Sequence, residues 1–377
     1  MKKIFFVLCT FAALALTACH RENNNPDNHG GNNNNNGPDI PQGEGIYNPT
    51  GAHIATIDFS DNGDNVDQKW VWSDYKLQRI EEKNAAGDYD PAYTYTYDNW
   101  RLSQMIMLSD EMPGTVNYTY TSNKLTGISI TSSGMNIADA EIVRNSSDKI
   151  VHMDIIVNNE IIQMLVGLLS DGFGDMDKKG KDMLTPVFGH DLTRAMAVAA
   201  EKLYHGQKLS VNSTDFEVDF TWSGNNVASA VVTATINGGI TFEELNQFVN
   251  LETIVGTDYY AVLAAIAGTD ELPIELTVAD TMEYTYDQKK NPFQGFYGQL
   301  DISTFSANNV ASSFAHGWMD ASITFSVPLL GDQVIPFGMP LEGDSEPTTF
   351  TYTYNNAGFP VSRESSHYVT ATYKYSD

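Results

Sequence analysis

Along this chain a pair of aromatic residues separated by one residue leads into a short polar turn. A cation or amide next to an aliphatic residue comes next, with another apolar residue three positions on. This recurrence constrains the fold more than any other property of the sequence. Trp70-Val71-Trp72 runs through Ser73-Asp74-Tyr75 to Lys76-Leu77 and Ile80. Tyr95-Thr96-Tyr97 runs through Asp98-Asn99-Trp100 to Arg101-Leu102 and Met105. Tyr118-Thr119-Tyr120 runs through Thr121-Ser122-Asn123 to Lys124-Leu125 and Ile128. A degenerate copy goes from Ile142 through Asp148, Lys149 and Ile150 to Met153. Later copies start at Phe220-Thr221-Trp222, Tyr284-Thr285-Tyr286 and Tyr352-Thr353-Tyr354, and the chain closes on Tyr373-Lys374-Tyr375.

Tyr-Thr-Tyr alternation has period two and uses side chains that fill a pleated, half-buried surface. Asp, Asn, Ser and Gly next to it bond the local backbone and tolerate positive φ, which makes a turn. From Trp72 to Tyr97 is 25 residues and from Tyr97 to Tyr120 is 23, room for two strands and two turns. Each unit is therefore one hairpin, and the Tyr rows are expected to stack as cross-strand pairs. The fold expected is mainly β: a large, strongly curved antiparallel up-and-down sheet, open or barrel-like, with two helical insertions. Those insertions are placed near 158–205 and near 241–267, the second opened by the capping-box spacing of Thr241-Phe242-Glu243-Glu244.

The β region is expected from residue 46 to 377, because the chain before it cannot build a core. His20 to Gly45 is an Asn/Gly/Pro-rich stretch, a flexible tether of roughly 28 Å end to end. Before it, Lys2 and Lys3 precede an apolar run from Ile4 to Leu16, which reads as a signal peptide over residues 1–18. Leu16-Thr17-Ala18-Cys19 resembles the lipobox of bacterial lipoproteins. Cys19 is the expected lipid anchor, since a thiol there becomes a thioether to diacylglycerol. His20 rather than Asp stands after Cys19, which favours the outer membrane, with the surface-exposed face preferred over the periplasmic one. Cys9 leaves with the signal, so no disulfide is expected.

The formal charge is −27, and about −29 once Lys2 and Lys3 are removed. That disfavours nucleic acid as a partner and disfavours direct contact with anionic lipid surfaces. The expected partners are the membrane, through the lipid, and a polysaccharide or an outer-membrane protein.

The Tyr-x-Tyr-Asp hairpins, Tyr286 to Phe293, Ser306-Ala307-Asn308-Asn309-Val310 and Tyr354 to Pro360 together resemble a family of exported lipoproteins from gut Gram-negative anaerobes. The resemblance covers the chain beyond residue 45. It implies a strongly curved, porin-like antiparallel sheet, and it carries over no activity and no catalytic residues. A pore is not implied, because the outer faces are rich in Thr and charge rather than apolar.

No His-Glu-x-x-His, Gly-x-Ser-x-Gly or Walker loop is present, so no catalytic residue, cofactor or metal is assigned. Asp175 to Gly180 is similar to a calcium loop, but Lys179 stands where an oxygen ligand is needed and Pro186 where the bidentate acid belongs. Carboxylate pairs that meet only in space leave a glycan-active hydrolase as the alternative, with a structural accessory of a transporter as a third reading. Two aromatics fall outside the hairpin logic. Trp100 occupies a turn where Gly or Asn is expected, and Trp318 comes after Ala315-His316-Gly317. Both are candidate ligand-binding residues.

Overall fold

The computed structural model describes residues 53–61, 64–73, 76–108, 113–132, 134–158, 210–241, 271–295, 305–327, 331–340 and 346–376. The signal peptide, Cys19, the tether and the expected helical insertions lie outside these, apart from Asn158 and Thr241.

The described chain forms seventeen strands. The first nine are β1 (Ile54–Asp61), β2 (Asp64–Ser73), β3 (Lys76–Lys83), β4 (Tyr89–Asp98), β5 (Arg101–Met107), β6 (Gly114–Thr121), β7 (Lys124–Ser132), β8 (Met135–Arg144) and β9 (Ile150–Val157). After the first insertion come β10 (Ser210–Ser223), β11 (Asn226–Thr241), β12 (Glu271–Lys290), β13 (Asn308–Val327) and β14 (Gly331–Pro340). The last three are β15 (Thr348–Tyr354), β16 (Pro360–Ser365) and β17 (Thr370–Tyr375). Successive strands pair antiparallel, except β14 with β15, and β17 pairs with β1, so the sheet closes on itself. β14 and β15 share one place beside β13, at Trp318–Val327 and at Ser312–Ser313 respectively, which makes a closed barrel of 16 strand positions. The barrel-like form of the expected sheet is the one adopted, and closure gives every strand except β14 a neighbour on both sides.

The walls alternate, with the apolar side inward. On β15 Phe350, Tyr352 and Tyr354 are half-buried while Thr349, Thr351 and Thr353 are exposed. On β17 Ala371 and Tyr373 are buried while Thr370, Thr372 and Lys374 face water. A membrane-crossing barrel carries the reverse arrangement, with an apolar band outside. The core lies within the ring, where Leu77, Ile80, Val116, Leu125, Ile130 and Met153 are at most 1% exposed.

The apolar pair three residues apart is the mark of a β-bulge. Beside the turn of each hairpin the register slips by one residue: at Val71/Trp72, Thr96/Tyr97, Thr119/Tyr120, Val143/Arg144, Thr221/Trp222, Thr285/Tyr286 and Thr353/Tyr354. An extra residue on the return strand lets Leu77 and Ile80, or Leu125 and Ile128, both point inward where strict alternation would turn one outward. The pair Ile54 and Ile57 does the same where β1 meets β17.

All these turns lie at one end of the barrel, the turn rim, where the described chain also begins and ends. The other connections lie at the far rim. Both insertions leave from there, between β9 and β10 and between β11 and β12.

Candidate functional site

The turn rim explains what one aromatic of most units does: the second, or in the Tyr352-Thr353-Tyr354 unit the first. Ladders between successive hairpins stop short of it: β3 and β4 pair only as far as Arg79 and Thr94, and β5 and β6 only as far as Gln104 and Asn117. Beyond that point the strands splay, and side chains replace the missing ladder bonds. Tyr97 Oη donates to Leu77 O at 3.0 Å, Tyr120 Oη to Leu102 O at 2.9 Å, and Trp222 Nε1 to Ile150 O at 2.7 Å. Trp72 Nε1 donates to Ile54 O at 2.6 Å, Tyr352 Oη to Val310 O at 2.8 Å, and Tyr375 Oη to Pro360 O at 2.7 Å. In the degenerate unit Arg144 takes the role, reaching Leu125 O at 3.4 Å. In the unit of Tyr286, Ser306 stands between, donating to Tyr286 Oη at 2.8 Å and accepting from Val227 N–H at 3.1 Å. Trp70 with Trp72, Tyr284 with Tyr286 and Tyr352 with Tyr354 meet along a single strand, and Phe359 meets Tyr375 of the neighbouring strand with centroids 5.8 Å apart.

The cation of each unit reaches the next turn. Lys76 Nζ donates to Asn99 O, Arg101 to Asn123 Oδ1 at 3.0 Å, and Lys149 Nζ to Gly224 O, while Lys124 pairs with Asp148. The same cations lie over rings, Lys76 at 4.5 Å from Trp100, Arg101 at 4.9 Å from Tyr120 and Lys149 at 4.9 Å from Trp222. Lys149 meets Gly224 across the whole first insertion, so that insertion leaves the ring unbroken.

The two motifs most telling in the sequence, around Tyr286–Phe293 and Ser306–Val310, are the feet of the β12–β13 connection. Asn291 Nδ2 donates to Ser306 O at 2.9 Å, and its Oδ1 accepts from Phe293 N–H at 3.0 Å. Asp287 accepts from Lys289 N–H at 2.9 Å, from Asn309 Nδ2 at 3.1 Å and from Tyr354 Oη. Burial, and then this carboxylate, push the Tyr354 phenol pKa well above its ordinary value. Phe293 packs 6.2 Å from Trp70 on β2 and 5.9 Å from Tyr373 on β17, whereas Phe305, 1% exposed, packs 5.6 Å from Phe220 on β10. β2 and β10 lie on opposite sides of the ring, so this connection brings its rings to both walls of the mouth.

Trp100 and Trp318 are not brought together. Trp100 sits at a hairpin tip on the turn rim, half-buried beneath Lys76. Asn99 takes the left-handed conformation there, φ 56°, so the Trp needs none. Trp318 lies eight strands away on the outside of β13, opposite Ala279 and Pro340 and 45% exposed. It ends an outward row in which Phe314 and His316 stack with centroids 5.9 Å apart at 29°. Outward neighbours on β12 are Glu283, Thr281 and Ala279.

Two further features escaped the sequence reading. Four turns share one design, in which Asn84, Asn145, Asn355 or Ser365 accepts with its side chain from two backbone N–H groups ahead of it. Their left-handed position holds Gly87, Asp148, Gly358 and, against steric preference, Tyr368 at φ 66° and 79% exposed. On the outer wall His152 is held between Asp219 at 2.7 Å and Asp154 at 3.0 Å. Burial works against its charge, but the hydrogen bonds and fields of the two carboxylates outweigh it and raise its pKa. Among the described residues no three His, Cys, Asp or Glu side chains are grouped to hold a metal ion.

No family model matches the chain, and no curated protein matches it in sequence. Among solved structures, a porin-like protein from Bacteroides uniformis is similar to it, with a TM-score of 0.34 and 10% identity over 86% of this chain and 98% of that one.

Proposed function

We propose that this is a non-catalytic protein of the Gram-negative cell envelope, lipid-anchored at Cys19 to the outer membrane, that binds a neutral polysaccharide on the outer wall of its barrel. The observation that carries the reading is the outward row Phe314, His316 and Trp318. Elsewhere on the described walls outward positions hold mostly Thr, Ser, Asp, Glu and Lys. An exposed Trp in line with a stacked Phe–His pair offers a flat apolar surface of the kind that the C–H face of a pyranose covers. Carboxylates around the barrel argue for an uncharged sugar over a sulphated or uronic one.

The experiment is gel retardation of the full chain on neutral plant and host polysaccharides, with reducing-end release measured in parallel. Retention that Trp318→Ala abolishes and Trp100→Ala leaves intact is the expected result. Release of reducing ends overturns the non-catalytic reading. Absence of retention on every gel overturns polysaccharide binding and leaves the accessory role.

A further inference from the structure

We infer that the outer strip along β13 holds an internal stretch of a linear, neutral polysaccharide, with Glu283 as the acceptor for its hydroxyls; the inference deepens the polysaccharide reading above and rests on it. Glu283 is exposed and stands opposite Phe314 in the β12–β13 ladder. Cross-strand partners hold their Cβ atoms about 5 Å apart, so the carboxylate borders the ring at the head of the aromatic row. Its other register partner is Ser229 on β11, whose hydroxyl pairs with Thr221 at 2.7 Å. Among the described residues nothing donates to the Glu283 carboxylate. An exposed carboxylate beside an aromatic ring supplies what a stacking surface lacks, a charged acceptor for the hydroxyls around a sugar ring. Along β12 the residues opposite the row go from Glu283 to Thr281 to Ala279. The strip is therefore polar at Phe314 and flat at Trp318.

The composition of the strip sets the charge of the chain it takes. β13, β14 and the Glu271–Tyr286 part of β12 contain no Lys or Arg, and His316 is their sole base. Glu275 and Glu283 are exposed on β12, and Asp320 and Asp332 occupy outward register positions on β13 and β14. Uronic and sulphated chains are recognised through Lys and Arg, which pair with their acidic groups. A strip of this make-up repels them and takes a chain of hydroxyls. The strip is also long. Thr324 is ten positions beyond Phe314, roughly 34 Å of strand. Opposite Thr324 stands Val334, 58% exposed. The ladder runs without a slip from Trp318 opposite Pro340 to Val327 opposite Gly331, so Val334 shares the outward side of Trp318. Several sugar rings fit on such a length, and an outer wall offers a strip rather than a pocket, so the middle of a chain is held rather than its tip.

The test is affinity electrophoresis of the full chain through galactomannan, mixed-linkage β-glucan or amylose, with mannobiose, cellobiose or maltose as the matching competitor. On the polymer that retains the protein, Glu283→Ala is expected to weaken binding roughly tenfold, and Glu283→Gln, which keeps an acceptor, by less. Val334→Ser is expected to weaken it several-fold, and the disaccharide to compete poorly at the same concentration of sugar units. Urea midpoints of the three variants are expected to match that of the parent, and a loss of binding that tracks a lowered midpoint overturns the assignment. Retention that Trp318→Ala abolishes and Glu283→Ala leaves whole overturns the role of Glu283 and leaves the polysaccharide reading standing. A disaccharide that competes as well as the polymer overturns the binding of an internal stretch. Absence of retention on all of these polymers overturns the polysaccharide reading, and the inference with it.

Discussion

Replacing Tyr97 by Phe removes one oxygen and keeps the ring. The hydroxyl donates at 3.0 Å to Leu77 O, in the stretch where β3 and β4 no longer share a ladder, and Leu77 itself is 0% exposed. Burial of the phenol pushes the Tyr97 pKa up, against the opposing effect of its hydrogen bond to Leu77 O. The variant leaves a carbonyl lacking the donor that replaced its ladder bond. A neutral hydrogen bond contributes about 1 kcal/mol net, and an orphaned buried acceptor costs about 1–3 kcal/mol, so Tyr97→Phe is expected to destabilise by about 1–2 kcal/mol. In urea unfolding the midpoint falls with an unchanged slope, since the exposed surface is the same. Tyr120→Phe, with its bond to Leu102 O at 2.9 Å, is expected to cost as much, and the double variant to depart from the sum, because Leu102 is the register partner of Tyr97. Tyr368→Phe, on an exposed ring, is the neutral control. Loss of less than about 0.3 kcal/mol in both rim variants, or a large loss in the control, would falsify the view that these hydroxyls hold the splayed hairpins together.

The two features missed by the sequence reading give further tests. Tyr368→Gly is expected to stabilise by about 0.5–1 kcal/mol, relief of left-handed strain exceeding the added freedom of the unfolded chain; a lower urea midpoint refutes it. Because the His152 pKa is raised on folding, its contribution to stability is complete below the unfolded value near 6.5 and fades as pH rises through the folded value. Asp219→Asn should lower the pKa read from the His152 ring protons by NMR and flatten that part of the stability profile, and an unchanged titration removes the carboxylates as its cause.

Much of the barrel is legible in the sequence because its unit is local. Tyr-Thr-Tyr and Asn-Gly-type turns declare each hairpin, and eight units map onto the eight places around the ring. The three-residue spacing of Leu77 and Ile80 is equally visible, but a bulge is a relation between two strands, so its meaning appears only with the register. The Ile142–Met153 unit looks degenerate by its letters, yet Arg144 serves as the donor that Tyr or Trp provides elsewhere. What the letters share is a polar tip on a long arm. Closure, and the reach of Phe293 and Phe305 to opposite walls, depend on parts of the chain far apart in sequence. Trp100 and Trp318 stand out for their context, but only the wall on which each sits separates a rim residue from an outward platform.

Where the eighth turn belongs, the ring has the two ends of the described chain. Ser376 N–H donates to His53 O at 2.8 Å, and Ile54 faces Tyr375 with the same bulge that accompanies every turn. The linear order of the hairpins is therefore a property of the gene and not of the architecture. A two-residue link such as Ser122-Asn123 would complete the circle, and new ends opened at another rim turn would yield a circular permutant with the same inner wall. If the chain is anchored at Cys19 as proposed, a permutant would present a different side of the outer wall along the membrane, and the choice would lie with the site of opening.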